Sequence, residues 1–204
     1  MTRVAWFATA LLALPCAAQE GDALPPAGYG TLRQDDIALR LQTGSLLLTV
    51  LPLDEHLLRL LAEDSYSALH QLVASRDSAL SEAARQAGVE APSLFLVSLF
   101  ALDKGVIFNP DDLTLQSRNQ FFRPIATVPI TLQWGAHRLD QRETAVAIYL
   151  FEPGIAIWEP LVVSFGGARN TAWERTLRRL EEERNAVLAR AAAARPDSVP
   201  NRPQ

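Results

Sequence analysis

The residues that could do metal or acid–base chemistry lie apart in this sequence. His56, His70 and His137 fall on three separate predicted elements, and no two of them have the four-residue spacing of a helical zinc site. Asp111 and Asp112 form a carboxylate pair in a predicted turn after a proline, where Asp is a common turn former. No further oxygen ligands follow at the spacing of a calcium loop. The sequence therefore predicts neither a metal site nor a bound cofactor.

Nucleophilic chemistry has equally little support. The sequence contains no Gly-x-Ser-x-Gly segment, so it lacks the turn that exposes the serine of an α/β-hydrolase. Gly166 and Gly167 precede a predicted helix and could contact an anion there, but without a phosphate-loop motif a simple chain reversal is the other interpretation. We expect no catalytic site, and a triad assembled from distant residues is the alternative.

The candidate contacts for a ligand or partner are apolar. Four aromatic residues lie in or beside predicted turns, where they could stack on sugar rings or anchor a partner, or close the ends of the core. Three residues lie on the apolar stripe of a predicted C-terminal helix, which could dock on a partner, pair with its own copy or pack on the domain. The candidates are Phe121, Phe122, Trp134 and Trp158 in the turns and Trp173, Leu177 and Leu180 on the helix.

The N-terminus has the pattern of a secretory signal peptide. Arg3 supplies positive charge, residues 4–14 are apolar, and small residues precede Gln19, which predicts a signal at 1–18 that is cleaved after Ala18. At about 1.5 Å per residue the apolar stretch spans roughly 16 Å as a helix, too little for a hydrocarbon core of about 30 Å. We therefore expect no transmembrane segment and an exported protein, periplasmic or extracellular.

Cys16 offers an alternative processing route. A cysteine at the end of an apolar signal can become the lipid-carrying first residue of a lipoprotein, but Leu14 and Pro15 do not fit the residues that precede such a cut. If cleavage follows Ala18, the mature chain has no cysteine, because Cys16 is the only one. Disulfides and thiolate chemistry are then excluded.

Size and charge narrow the class of partner. The chain has 204 residues and is 49% hydrophobic, which suits one globular domain. Loss of Arg3 with the signal leaves 18 basic against 23 acidic residues, a formal net charge of −5. Nucleic-acid binding needs a concentrated basic surface. We therefore expect a protein partner and no nucleic acid.

The first half of the mature chain predicts a leader, a hairpin and a helix. Residues 19–31 are rich in Gly and Pro and predict a flexible leader. Alternating apolar residues predict a strand at 37–42, and the apolar run at 45–53 that follows a turn predicts a second strand of the same hairpin. Residues 54–61 fit both the helical and the strand period, and we favour a helix. A helical pattern at 64–87, followed by Gly88, predicts a helix inserted before further strands.

The middle of the chain predicts short strands separated by turns. The strands are expected at 93–102, 106–108, 113–116, 121–123, 142–151 and 161–165. Strand 93–102 is apolar on both faces, 109–120 is rich in turn residues, and YLFEPG and LVVSF follow at 149–154 and 161–165. In this order the features resemble bacterial extracytoplasmic immunoglobulin-like modules, without the Cys…Trp…Cys framework of antibody domains. The resemblance implies an antiparallel β-sandwich at 32–170 and no particular activity.

The C-terminal region predicts an amphipathic helix at 171–193 and a disordered tail at 194–204. Thr171 and Glu174 have the spacing of a capping box, and Arg184 interrupts the apolar stripe. Together the patterns predict a mainly β (α+β) fold. We expect an exported, non-catalytic binding or scaffold module of the cell envelope or secretome, which engages a protein through its loops or this helix. A cell-envelope hydrolase or carbohydrate-binding protein is the alternative.

Overall fold

The described part of the protein is a mixed α+β fold. The structure is a computed structural model that describes residues 23–194, so the predicted signal peptide with Cys16 and all but the first residue of the predicted tail lie outside the described residues. Of the described residues, 31% lie in strands and 35% in helices. The paired strands in the sheets are antiparallel. Helices hold a larger share of the residues than a mainly β fold would have.

Eleven strands and four α-helices follow one another in residues 23–194. The strands are β1 (Leu39–Thr43), β2 (Leu46–Pro52), β3 (Ser93–Ala101), β4 (Val106–Ile107), β5 (Thr114–Ser117), β6 (Gln120–Phe122), β7 (Ala126–Pro129), β8 (Arg138–Leu139), β9 (Thr144–Phe151), β10 (Leu161–Phe165) and β11 (Ala168–Asn170). The helices are α1 (Glu55–Leu58), α2 (Glu63–Ser75), α3 (Asp77–Gln86) and α4 (Trp173–Ala194). Each predicted strand overlaps one of these, whereas β7, β8 and β11 were not predicted.

The largest sheet has five strands in the order β1-β2-β3-β9-β7. Its central strand, β3, has buried neighbours on both sides: Leu99 pairs with Leu48 of β2 and with Ala145 of β9. Alternate residues of each strand point to the same face. One face of this sheet therefore forms a continuous apolar layer.

A four-stranded sheet, β11-β10-β5-β6, supplies the other part of the core. Leu115 of β5 and Val163 of β10 are paired and fully buried, and they belong to the same hydrophobic cluster as the five-stranded sheet. The two sheets meet where β11 passes β1, and there the Asn170 side-chain amide donates to the Arg40 carbonyl at 2.7 Å. A two-stranded ribbon of β4 and β8 is hydrogen-bonded to neither sheet, but Leu139 of β8 is buried in the same core.

The helical insertion between β2 and β3 differs from the prediction in one respect. The single helix predicted at 64–87 is wrong, because Arg76, with φ −111° and ψ 5°, separates α2 from α3. Ser75 precedes this break, and its hydroxyl donates to the Leu72 carbonyl at 2.8 Å, a local bond that competes with helical backbone bonding. The predicted cap is confirmed: Gly88 has φ +72°, and the Val89 N–H donates to the Ala84 carbonyl.

The residues at 54–61 form the short helix α1, as we favoured. Asp54 is its N-cap, since its carboxylate accepts from the backbone N–H groups of His56 at 2.9 Å and Leu57 at 3.3 Å. Such a cap satisfies donors that have no partner within the helix. Leu57 and Leu58 are buried in the core, so α1 is fixed at both its N-terminus and its apolar face.

The C-terminal helix α4 packs on the rest of the domain. It begins at Trp173, so the predicted capping box of Thr171 and Glu174 is wrong. Just before this end, the side-chain oxygen of Asn170 accepts from the Ala172 N–H at 2.7 Å, a local bond of the Asx-turn type. Trp173, Leu180 and Val187 are fully buried. Within residues 23–194, no helix combines the length and the apolar character needed to cross a membrane.

Candidate functional site

Four of the seven predicted contact residues lie in the core. Trp134 is 2% exposed and Phe122 8% exposed, and Trp173 and Leu180 are fully buried. Trp134 packs edge-on against Tyr149 with 5.5 Å between ring centroids. The prediction that these four contact a partner is therefore wrong for the folded domain, because other side chains already cover their apolar surfaces.

Three predicted contacts remain accessible, and they lie on different elements. Phe121 is 72% exposed on β6, the outermost strand of its sheet. Leu177 on α4 and Trp158 in the loop between β9 and β10 are half-buried against the core. Of the three, Trp158 lines a cleft that polar and charged side chains from other elements also line.

The cleft beside Trp158, called the Trp158 cleft below, has a volume of about 420 Å³. Small-molecule and side-chain pockets commonly fall in the range of roughly 300–1,000 Å³. Residues from four parts of the chain form it: the start of α1, the turn between β5 and β6, the loop between β9 and β10, and α4. Its lining consists of Asp54, His56, Arg118, Ile155, Ala156, Ile157, Trp158, Glu159 and Arg184.

Buried anchors hold the loop that carries Trp158. Ile155 and Ile157 insert into the core, while the Ala156 N–H donates to the Ser117 hydroxyl at 3.2 Å. The indole N–H of Trp173 on α4 donates to the Ile157 carbonyl at 2.8 Å. Since these anchors fix the three residues just before Trp158, they hold Trp158 where it lines the cleft.

Arg118 and Glu159 form a bidentate ion pair across one side of the cleft. The Arg118 Nε and Nη2 atoms donate to the two Glu159 carboxylate oxygens at 2.8 and 2.5 Å. This hydrogen bonding, with the Arg118 charge, lowers the pKa of Glu159 below its usual value. Glu159 is therefore a poor general acid near neutral pH, because it holds no proton to donate.

The backbone of Arg118 is unusual for a residue with a long side chain. Arg118 and Asn119 have φ values of +49° and +62° in the tight turn between β5 and β6. This left-handed region costs a non-glycine residue roughly 1–2 kcal/mol, and turns of this kind favour Asn-Gly. The turn holds Arg118 where its side chain reaches Glu159.

Arg184 is the other cation of the cleft. Its guanidinium carbon lies 5.7 Å from the centroid of the Trp158 ring, within the range of a cation–π interaction. Arg184 is half-buried, and among residues 23–194 it has neither an ion pair nor a hydrogen bond. Its side-chain N–H donors therefore stay free within the described structure.

Asp54 and His56 complete the polar lining, but Asp54 has a structural role. One carboxylate oxygen of Asp54 caps α1, as described above, and the half-buried His56 lies within the first turn of that helix. In the part of the chain that the structure describes, no three His, Cys, Asp or Glu side chains are close enough to hold a metal ion. The arrangement suits recognition of a ligand better than proton transfer to it.

Comparisons with known proteins provide no family for this chain. No protein-family model matches it, and no match was found among curated proteins or among solved structures. The functional inference therefore rests on the geometry of the Trp158 cleft.

Proposed function

We propose that this chain is an exported, non-catalytic binding module of the cell envelope or secretome that engages a protein partner through the Trp158 cleft. The observation that carries the proposal is the position of Arg184 over Trp158, half-buried and without a polar partner among the described residues. Tryptophan and arginine are the residue types most enriched at the energetic centres of protein interfaces. A loop and α4 both line the cleft, and these are the two kinds of element that the sequence predicts to contact the partner.

The position of Arg184 on α4 supports a role beyond packing. It lies four residues after Leu180 and three before Val187, and both of these are fully buried. An apolar residue at this position would extend the buried stripe, since residues three and four apart share a helix face. A charged group at the same place loses hydration, and the cation–π contact offsets only part of that cost.

The export and the finer architecture belong to the same proposal. The signal pattern at 1–18 supports an exported protein, and the immunoglobulin-like sandwich stays our proposal for the arrangement of the two sheets. Support for it comes from two antiparallel sheets that share one hydrophobic core. A sandwich of this kind presents its loops at its ends, and the proposal assigns the Trp158 loop to one of these ends.

The alternative is a hydrolase or a carbohydrate-binding protein of the envelope. One observation favours it: the Trp158 cleft brings Asp54 and His56 from the start of α1 together with Glu159 from the loop between β9 and β10. However, the Asp54 carboxylate caps α1 and Glu159 is paired with Arg118. Either carboxylate would therefore have to give up these hydrogen bonds before it could transfer a proton.

Capture of partners by the exported protein from its own envelope tests the binding function. We expect Trp158→Ala to lose partners that the wild-type chain retains, because truncation removes the aromatic wall of the cleft. Phe121→Ala is the matched control, since it removes an exposed aromatic side chain outside the cleft. Circular dichroism would check that both variants fold.

Equal recovery of partners by Trp158→Ala and wild type would contradict the proposal. Deletion of α4 is unsuitable for this test, because it would also remove Trp173, Leu180 and Val187 from the core. Substitutions at the rim of the cleft change the contact surface and leave that core intact.

A further inference from the structure

A second cleft lies at the end of β2 and the start of β3. This cleft, called the Pro92 cleft below, has a volume of about 290 Å³, close to the lower limit of roughly 300 Å³ for ligand pockets. Asp54, Ile155 and Ile157 line both this cleft and the Trp158 cleft. Its other apolar lining consists of Pro52, Leu53, Ala91, Pro92, Leu94 and Phe95.

Strand pairing holds the Pro92 cleft in shape. Pro52 of β2 pairs with Phe95 of β3, and the Leu53 N–H donates to the Leu94 carbonyl at 2.9 Å. A ligand that enters the cleft therefore meets a wall that is already formed, which lowers the entropy lost on binding.

The charged residues that line the Pro92 cleft, Asp54 and Glu55, are both acidic. Glu55 already has a counter-ion, because Arg59 Nε donates to its carboxylate at 2.7 Å. Asp54 caps α1 with one oxygen only, since the His56 and Leu57 N–H groups both donate to Oδ1. Within residues 23–194, Asp54 forms no ion pair. The cleft is therefore complementary to one positive charge.

The arginines of the neighbouring Trp158 cleft leave this charge in place. Arg118 is paired with Glu159 through two hydrogen bonds, and Arg184 lies near the Trp158 ring. Neither arginine lines the Pro92 cleft. The Asp54 carboxylate is thus left for a cation that enters from outside.

The number of available carboxylate oxygens distinguishes between the two common cationic side chains. The guanidinium fork of arginine matches two carboxylate oxygens at once, but Asp54 uses one oxygen in the cap, and Glu55 Oε1 accepts from Arg59 and Tyr66. An ammonium group is a compact charge that needs only one such oxygen. The apolar stem of a lysine can also lie along an apolar wall while its charged end stays near water.

We propose that the Pro92 cleft receives a lysine side chain of the partner protein. The stem packs against Pro92 and Leu94, and the ammonium group binds the Asp54 carboxylate. The formal net charge of −5 on the predicted mature chain favours the approach of a basic surface. This inference rests on the proposed function, and it adds a contact of stated chemistry beside the Trp158 cleft.

Three synthetic peptides test the inference directly. The probes are acetyl-Gly-Lys-Gly-amide and the same peptide with norleucine or arginine in place of lysine, titrated to millimolar concentration into the ¹⁵N-labelled mature chain. We expect the Lys peptide to shift the backbone N–H signals of Ser93 and Leu94, which line the cleft. The norleucine peptide keeps the apolar stem but lacks the charge, so it should bind about tenfold more weakly, a difference of ~1.4 kcal/mol. The Arg peptide should bind with an affinity between the other two.

Two matched variants show whether Asp54 makes the distinction. Asp54→Asn keeps an N-cap of similar strength but removes the charge, so it should bind the Lys and norleucine peptides equally. Asp64→Asn removes an exposed carboxylate that does not line the cleft, and it should keep the preference for lysine. Higher salt should weaken the Lys peptide more than the norleucine peptide, since ions screen charge pairs. Circular dichroism would establish that both variants are folded.

Several results would overturn the inference. It fails if no peptide shifts Ser93 and Leu94, if the Lys and norleucine peptides bind equally to the wild-type chain, or if Asp54→Asn retains the preference. Tighter binding of the Arg peptide would assign the cleft to arginine instead. Shifts of these signals with protein concentration alone would assign it to Lys104 of a second copy, because this exposed residue is the only lysine of the chain.

The capture experiment separates this inference from the proposed function. If Trp158→Ala loses its envelope partners while Asp54→Asn keeps them, the proposed function stands and the lysine inference fails. If the Lys peptide binds as expected but Trp158→Ala keeps its partners, the Pro92 cleft binds lysine and the proposed function fails.

Discussion

Glu183 on α4 is joined to Thr31, 152 residues earlier in the chain, by two hydrogen bonds. The Thr31 backbone N–H and hydroxyl donate to the same carboxylate oxygen at 2.8 and 2.9 Å. Arg190 donates to that oxygen at 2.7 Å and also to the Tyr29 carbonyl. The end of the predicted leader is therefore attached to the C-terminal helix that carries Arg184.

We predict that Glu183→Ala destabilises the domain by about 1 kcal/mol, because it removes the shared acceptor of these hydrogen bonds while the exposed Thr31 donors can still bond to water. The free energy of unfolding, measured with urea, checks this value. Glu182→Ala is the matched control, because Glu182 is exposed on the same helix and should change stability by less than about 0.5 kcal/mol. Equal effects of the two substitutions would show that the hydrogen bonds to Thr31 contribute nothing to the free energy of unfolding.

Local sequence patterns predicted most of the strands and the caps that depend on single residues. Alternation identified β1 and β9, and Gly88 marked the end of α3 because only a residue tolerant of positive φ ends a helix in this way. The short strands β8 and β11 have two and three residues, too few for a period to show. The bond from Thr31 to Glu183 depends on tertiary packing and leaves no local pattern.

The candidate site was only partly visible in the sequence. Trp134 and Trp158 both lie beside predicted turns, and their local sequences do not tell them apart. Packing against Tyr149 buries Trp134, whereas Trp158 stays at a cleft. The interruption of the apolar stripe at Arg184 was a signal of the site, but its meaning depends on the distant loop that brings Trp158 beneath it.

The burial of Trp134 makes a clear prediction about stability. Trp134→Ala should destabilise the domain by about 3–5 kcal/mol, because it leaves a large cavity beside Tyr149 and Phe108. Phe121→Ala, at a 72% exposed position, should stay within about 0.5 kcal/mol of wild type. Thermal or urea denaturation distinguishes the two. A small effect of Trp134→Ala would mean that this residue is not part of the core.

Gly30 fixes how closely the N-terminal segment approaches the end of α1. A Cβ atom at this position would lie 2.3 Å from the carbonyl carbon of Leu60 and from the carbonyl oxygen of Leu61, so Gly30→Ala must push the two backbones apart. We expect a loss of about 1–3 kcal/mol or more in unfolding free energy. Gly135→Ala is the control, since a Cβ atom there would meet no other part of the described chain within 4 Å. Wild-type stability of Gly30→Ala would contradict the close approach.

Glu55 links α1 to α2 through a half-buried polar cluster. Its carboxylate accepts from Arg59 Nε at 2.7 Å and from the Tyr66 hydroxyl at 2.9 Å, and His70 Nδ1 lies 3.6 Å away. Burial alone would raise the pKa of Glu55, but the hydrogen bonds from Arg59 and Tyr66, with the charges of Arg59 and His70, lower it overall. The folded domain therefore favours the ionised carboxylate.

This shift predicts the direction of an acid transition. A carboxyl group whose pKa is lower in the folded state contributes stability at pH values above its unfolded pKa, about 4.3 for Glu, and loses that contribution as the pH falls through the folded value. Glu55→Gln should therefore lower the free energy of unfolding at pH 7 by about 1 kcal/mol, a value reduced by solvent screening. It should also flatten the decline of stability below pH ~4.3. Glu90→Gln, at an exposed position outside the cluster, should keep the wild-type slope. If Glu55→Gln declines with acid as steeply as wild type, the cluster does not favour the charged form of Glu55 in the folded domain.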